Sequence, residues 1–425
     1  MHAYNSIVHE IYDLQRFAIK LGLDNIRAMC AEMDNPHTAY PVIHLAGTNG
    51  KGSTAFYLAQ IIQAMGLKTG LFTSPHLYDF RERIRVNGRK ISKSYVMKFW
   101  RDLRPLVLKR KATFFDTTTA MALAYFRDKQ VDVAVIETGL GGRLDSTNIV
   151  EAAYTVLTPI HFDHERQLGN TLSKITAEKA GIIKEHSAVF CAVQHPESLK
   201  VIKATLKSSN RMFYLADHIS WQANRFSLGG QWFDLFDHLH RLEYLNLKTK
   251  QLGSFQLANI ALSYLTARIY LKEQRILFKE ETFRRVLARA VWPGRMQVVS
   301  RHPNIILDVS HNLNGITKTL AEVKKLCGQG RLVVLTGLVK DKDYPTIARR
   351  IVEAAYRIVV TEPDTHRRLS ATDLAEAFKK EGKTVKVIQD LHKAFEICKQ
   401  TLNKEETLLV IGSHYLIGPL LSKLN

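Results

Sequence analysis

Seven consecutive residues, Gly47-Thr48-Asn49-Gly50-Lys51-Gly52-Ser53, carry the strongest chemical signal in this chain. They follow an apolar run and precede a helical pattern. Glycines let the backbone approach a ligand closely, the amides at a helix start face an anion, and Lys51 adds a positive charge. This is phosphate-binding chemistry. It is not the standard phosphate loop, which would need Gly at position 45 and Ser or Thr at 52, where Leu45 and Gly52 stand. An ordinary tight turn would not require three glycines, a lysine and a hydroxyl together.

Three further segments follow predicted strands, at the edge where open α/β sheets bind ligands. They are Thr73-Ser74-Pro75-His76, Glu137-Thr138-Gly139-Leu140-Gly141-Gly142-Arg143 and Asp163-His164. Ser74, Glu137 and His164 are donors with one common placement, which suggests a Mg²⁺ site beside a nucleotide. A histidine alone would read as structural, and its company at strand ends shifts the reading to a ligand. Downstream, Leu172, Ile175, Lys179 and Ile182 are spaced so that Lys179 falls on an apolar helix face. Either it snorkels from the edge of the core, or desolvation lowers its pKa and lets it react with CO₂ to a carbamate, an anionic metal ligand. Patterning does not choose between these. Arg295 is suited to phosphate, and Asp308 in Asp308-Val309-Ser310-His311-Asn312, again after a strand, to ribose hydroxyls. Taken singly, each is also a linker arginine or an Asx-turn cap.

The elements that must hold these residues alternate strand and helix, so the sheet is expected to be mostly parallel. Predicted strands cover 41–46, 69–73, 131–136, 153–157 and 188–193, with a helix over 53–65 stopped by Gly66. Aromatic and polar residues alternate over 226–245, which predicts antiparallel hairpins. A helix over 255–271 and a break at Trp292-Pro293-Gly294 follow. Strands at 305–309, 331–335, 357–361, 384–388 and 408–411 build a second, smaller α/β unit.

The chain has 425 residues, 46% of them apolar, with 23 glycines and 11 prolines. That is ample for a globular core and excludes a disordered or fibrous chain. No run approaches the ~18 apolar residues of a membrane span. The N-terminus has no basic segment followed by an apolar one, so no signal peptide is expected. Cys30, Cys191, Cys327 and Cys398 are too dispersed for a disulfide framework or a CxxC site, and a cytoplasmic setting fits. The net charge is +20. It raises nucleic acid as a partner, but the basic residues are scattered and an anionic small substrate explains them equally well.

The motifs HLAGTNGKGST, LFTSPHL, ETGLGGRLDSTN, FDHERQLGNTLSKITAEKAGIIK, WPGRMQVV and LDVSHN occur in an order that resembles the folylpolyglutamate synthases and the bifunctional dihydrofolate synthase/folylpolyglutamate synthases of the Mur ligase superfamily. The resemblance runs from about Leu21 to Gly418. It implies an N-terminal phosphate-loop NTPase-like α/β domain with a mostly parallel sheet and a small antiparallel part (1–293), and a smaller C-terminal Rossmann-like α/β domain (294–425). It implies an ATP-dependent amide ligase that activates a pterin-linked carboxylate as an acyl phosphate and joins it to L-glutamate, with dihydropteroate and reduced folates as acceptors.

Carried over position by position, the ATP contacts are Gly47, Thr48, Asn49, Gly50, Lys51, Gly52, Ser53, Asn259, Arg295 and Asp308. The Mg²⁺ ligands are Ser74, Glu137 and His164, and a monovalent cation is compatible beside them. The catalytic residues are Lys51, Lys179 as the carboxylated lysine, and His311. Pterin contacts are Leu23, Asp24, Asn25, Ile26, Phe115, Asp116, Thr117, Thr118, Leu144, Asp145 and Ser146, and glutamate falls to His311 and Ser413. A monomer that binds neither nucleic acid nor membrane is expected. A UDP-substrate member of the superfamily is disfavoured, because too little chain precedes Gly47 for its extra domain. Three positions depart from the family pattern: Leu313 replaces a usual Pro, Phe255 a common His and Asp116 a common Glu. The expected consequences are a looser turn, altered adenine packing and an altered pterin pocket.

Overall fold

The computed structural model describes residues 2–14 and 22–424. Leu21, where the family resemblance begins, and residues 15–17 of the N-terminal segment lie outside them. The strand Val42–Ala46 is buried at all five positions. It pairs in parallel with Val133–Glu137 on one side and Tyr154–Leu157 on the other. That central position explains its continuous apolar run, since both of its faces must be covered.

Outward from it, the eight-stranded sheet continues through Thr69–Phe72, Ile84–Val86 and Arg89–Lys90 on one flank, and Ala188–Cys191 and Arg211–Tyr214 on the other. Only Ile84–Val86 runs against the others, antiparallel to both of its neighbours. The helices Lys51–Ala64 and Ser254–Glu273 share the core on one face, with Tyr57, Tyr264 and Tyr270 fully enclosed. Asp24–Glu32, Lys93–Arg110 and Phe114–Asp128 cover the other face. The aromatic-rich stretch forms the expected antiparallel sheet, from Ile219–Ser227, Gly230–Asp237 and Leu242–Thr249.

The C-terminal sheet has the spatial order Gln297–Arg301, Asn304–Asp308, Glu406–Ile411, Arg331–Thr336, Arg357–Val360 and Lys386–Val387. All pairs are parallel except the first. Strands at 84–86, 89–90, 211–214 and 297–301 were not anticipated. They are edge or near-edge strands of two to six residues, each carrying an arginine, too short for a hydrophobic period to register. The expected 384–388 strand shrinks to Lys386–Val387, both exposed.

The two sheets meet where the loop after Phe72 docks on the last helix, His414–Leu424. A Cβ at Gly418 would lie 2.0 Å from the Leu77 carbonyl oxygen, so only glycine permits this approach. The Val309 amide donates to the Gly294 carbonyl (2.8 Å), which fixes the crossover between the units.

Candidate active site

Parallel strands deliver their C-terminal loops to one edge, so the segments after Ala46, Phe72, Glu137 and Leu157 converge there. The phosphate loop is anchored from below. Thr48 and Asn49 N–H groups both donate to the Pro159 carbonyl (3.0 and 3.2 Å), and the Thr48 hydroxyl bonds both polar groups of the His161 backbone. Gly50 takes a φ of 89°, and a Cβ there would lie 2.5 Å from the Asn259 side-chain oxygen. The helix therefore begins at Lys51, two residues earlier than the pattern predicts, and no side chain caps it. Its first amides are left for a ligand.

A cavity of about 120 Å³ opens over this loop. Gly47 to Gly52, Ser74, Glu137, His164, Lys179, Arg295 and His311 all line it. Lys51 Nζ and Lys179 Nζ both donate to the Gly47 carbonyl, at 3.0 and 2.9 Å. Lys179 is buried, and burial, then the Lys51 charge, brings its pKa down to about 7. Glu137 is buried too and accepts from the Ser74 N–H (3.0 Å). Burial raises its pKa, against the opposing pull of Lys51. His164 stands exposed at the rim with a φ of 54°; partial desolvation, countered by Asp163, lowers its pKa.

Among the described residues no three His, Cys, Asp or Glu side chains are grouped to hold a metal by themselves. The donors present, one buried carboxylate, a serine and a histidine beside an anion-binding loop, suit a Mg²⁺ that takes its other ligands from phosphate and water.

The C-terminal unit closes the cavity. Asn312 Nδ2 donates to Asn49 Oδ1 (3.0 Å) and to Asp163 (3.1 Å), while Asn49 Nδ2 donates to Asn314 (3.1 Å). Lys342 pairs with Asp163 at 2.8 Å, both side chains being nearly buried. Burial opposes ionisation of Asp163, but His164 and Lys342 hold its carboxyl well below the usual range. His311 Nδ1 lies 3.0 Å from the Val309 carbonyl, and burial brings its pKa down to about 4. A neutral ring donating from Nδ1 presents Nε2 as an acceptor. The sequence carried no signal for Lys342, Asn314 or His414, whose ring centroid is 5.4 Å from that of His311. Only folding brings them here.

Residues 45–267 match the Mur ligase middle domain and 294–414 the Mur ligase glutamate ligase domain. A dihydrofolate synthase/folylpolyglutamate synthase of Bacillus subtilis is 34% identical over 99% of both chains. The Mycobacterium tuberculosis folylpolyglutamate synthase complexed with ADP superposes with a TM-score of 0.91 at 26% identity, covering 100% of this chain and 98% of that one. E. coli FolC in complex with DHPP and ADP superposes at 0.85 with 26% identity, over 98% and 97%. The chain belongs to the folylpolyglutamate synthase/dihydrofolate synthase family of Mur ligases.

Other positions expected from this folate-ligase family are distributed unevenly. Asn259 stands against Gly50, and Arg295 is half-buried in the cavity wall, with no carboxylate within 4 Å of it among the described residues. Asp308 is buried, and its oxygens accept from the Met296 and Ser310 amides (both 2.8 Å) and the Thr319 hydroxyl (3.2 Å). It holds the interdomain turn whatever else it contacts. Asn25, Asp116 and Ser146 do come together: Asp116 accepts from Ser146 (2.5 Å) and lies 3.5 Å from Asn25 Nδ2. Phe115 covers Gly139, with Leu144 half-buried nearby in sequence to Asp145. The Asp145 carboxylate is occupied by the Gly139, Leu140 and Thr147 amides, and so builds the glycine-rich loop.

Thr117 and Thr118 hydroxyls bond back to the Thr113 and Phe114 carbonyls, Ile26 is core, and Leu23 and Asp24 start the helix Asp24–Glu32. Ser413 is buried, and its Oγ accepts from the Tyr415 N–H (3.1 Å); its neighbour His414 is the residue at the cavity. Leu313 does not loosen its turn, because Asn312 caps the helix by accepting from the Gly315 N–H (2.9 Å). Phe255 packs against the C-terminal core.

Proposed function

We propose that this protein is an ATP-dependent amide ligase that adds L-glutamate to 7,8-dihydropteroate and to reduced folates. One observation carries the reading: a phosphate-binding loop, two lysines, a buried glutamate and residues of a second unit converge on a single cavity. Membership of the family supports the ligase activity, and the relatives named for both activities support two acceptors. The division into a 1–293 ATP-binding unit and a 294–425 glutamate-binding unit, a monomeric state and a cytoplasmic location belong to the same proposal. No helix among the described residues is long and apolar enough to cross a membrane.

In this reading the acceptor's carboxylate oxygen attacks the γ-phosphorus of ATP, and ADP leaves. The amine of L-glutamate then attacks the acyl carbon, phosphate leaves and the nitrogen gives up a proton. Lys51, Arg295 and the first amides of the helix Lys51–Ala64 balance charge on the transferring phosphoryl group. Mg²⁺, held by Ser74, Glu137 and His164, would supply further neutralisation of the phosphates. Lys179 as a carbamate would add an anion to that side of the cavity. His311 Nε2 is an acceptor for the ammonium proton. The Asn49, Asn312 and Asp163 contacts keep the two units closed, which protects the acyl phosphate from water.

The test supplies purified enzyme with ATP, Mg²⁺ and L-glutamate, and either dihydropteroate or tetrahydrofolate. Glutamate-dependent ADP release is expected with both. Release with tetrahydrofolate alone would leave a monofunctional folylpolyglutamate synthase, and release that ignores L-glutamate would overturn the ligase reading.

A further inference from the structure

His44 is the one polar side chain of the buried strand Val42–Ala46. It is fully enclosed at the centre of the main sheet, opposite Ile136 and Thr155 on the flanking strands. Burial, with the Lys184 charge nearby, brings its pKa down to about 3, so the ring is neutral. Among the described residues it has one polar contact, 2.8 Å from Nε2 to the Thr147 hydroxyl, and Nδ1 has none. A histidine with one bare nitrogen costs stability in an apolar strand, and leucine would avoid that cost.

The contact has a direction. The Thr147 hydroxyl lies 2.5 Å from Asp145 Oδ1, which also accepts from the Thr147 N–H at 3.0 Å. Asp145 Oδ2 accepts from the Gly139 and Leu140 N–H groups at 2.9 and 2.8 Å. A carboxylate taking three amides is an acceptor, so the hydroxyl hydrogen is spent on it. Only a lone pair is left to face His44, and Nε2 carries the ring hydrogen. That donation fixes the hydroxyl rotor and polarises it towards Asp145. One hydrogen-bond chain thus runs from inside the sheet to the glycine-rich loop.

This loop shapes the candidate active site. It starts at Glu137, and Gly139, Leu140 and Gly141 line the cavity over the phosphate loop. A Cβ at Gly142 would lie 2.6 Å from the Glu178 carbonyl oxygen, and the Arg143 N–H donates to that oxygen at 2.7 Å. The loop is therefore seated on the helix Leu172–Ala180 one residue from Lys179.

We infer that His44 is a positioning residue for the phosphoryl and acyl transfers: through Thr147 and Asp145 it holds residues 139–143, and with them Glu137 and the Lys179 end of its helix, in place around the cavity. This rests on the ligase reading above. The phosphate loop itself is anchored separately, on Pro159 and His161.

The experiment compares wild type, His44→Leu, His44→Gln, His44→Asn and Thr147→Val as full chains. Hydrogen exchange over residues 139–147 should quicken at least about 10-fold in His44→Leu and Thr147→Val, with the phosphate loop unchanged. Small misplacements of a reacting constellation are costly, so kcat should fall about 10- to 100-fold while KM for ATP moves less than about threefold. A glutamine puts its Nε2 hydrogens where the imidazole Nε2–H stands, whereas an asparagine amide falls at Nδ1. Gln should therefore restore most of the turnover and Asn little of it. Should His44→Leu fail to fold, Thr147→Val, which removes only the hydroxyl, carries the same expectations. Turnover within about twofold of wild type in the variants lacking the chain overturns the inference. So does equal recovery by Gln and Asn, or a loss of turnover without faster exchange at 139–147, since each would make His44 a core filler. Wild-type turnover independent of L-glutamate would sink the ligase reading instead, and leave the exchange result to decide whether His44 holds the loop.

Discussion

Replacing Lys179 with methionine separates the two roles a buried lysine can have. Its Nζ lies 2.9 Å from the Gly47 carbonyl, and burial with the Lys51 charge brings its pKa from 10.5 down to about 7. At pH 8 about 90% of the amine is then neutral, against about 0.3% for an ordinary lysine, a gain of roughly 300-fold in the form that adds CO₂. The neutral amine forms the N–C bond with CO₂ and loses one proton to become an anion; counted from the ammonium, two protons leave. With labelled bicarbonate, NMR should detect a carbamate whose formation rises through pH 7 in wild type and is absent from Lys179→Met. Turnover should fall in CO₂-depleted buffer and return with bicarbonate.

Stability should respond in the opposite sense. The folded pKa lies below the unfolded one, so between about pH 7 and 10.5 the unfolded chain binds more protons and stability rises with pH. Below pH 7 the cost of the buried charge is fully present. Lys179→Met should therefore melt higher than wild type at pH 6, with the gain shrinking by pH 10, while turnover drops more than about 100-fold. An active enzyme at pH 8 with no labelled carbamate, or a methionine variant keeping more than about a tenth of the turnover, would refute the reasoning.

Lys51→Ala should lower turnover well over ~10-fold with an unchanged melting temperature, because it removes charge from a loop and no core contact; near-normal turnover would exclude the phosphate-loop assignment. Lys342→Ala removes the ion-pair partner of the nearly buried Asp163 and leaves it with His164, His311 and Asn312 beside it, in a class of change that costs up to ~3–5 kcal/mol. The two units should then open more readily, seen as a larger radius in small-angle scattering with ATP bound and a rise in uncoupled ADP release; a variant as compact and as tightly coupled as wild type would refute the clamp.

The sequence determined which residues are candidates for chemistry and where the strands that carry them run. Gly47–Ser53, Ser74, Glu137 and His164 are legible because each follows an apolar run, and strand ends on one side of a parallel sheet must share an edge. Lys179 stood out because a lysine broke an apolar stripe, yet the stripe alone left two roles open. Its enclosure beside a second cation, which only packing creates, supplies the low pKa. What depends on the meeting of the two units was legible only where a motif carried it, as for Arg295 and His311. Lys342 and Asn314 lie in ordinary polar surroundings in the chain and His414 just after an apolar run, and they reach the cavity through contacts spanning up to 265 residues. Local pattern reports which face of an element is apolar. It cannot report which distant polar residue that face will meet, nor that Asp308 and Asp145 spend their carboxylates on neighbouring amides, because those partners are chosen by how the sheets dock.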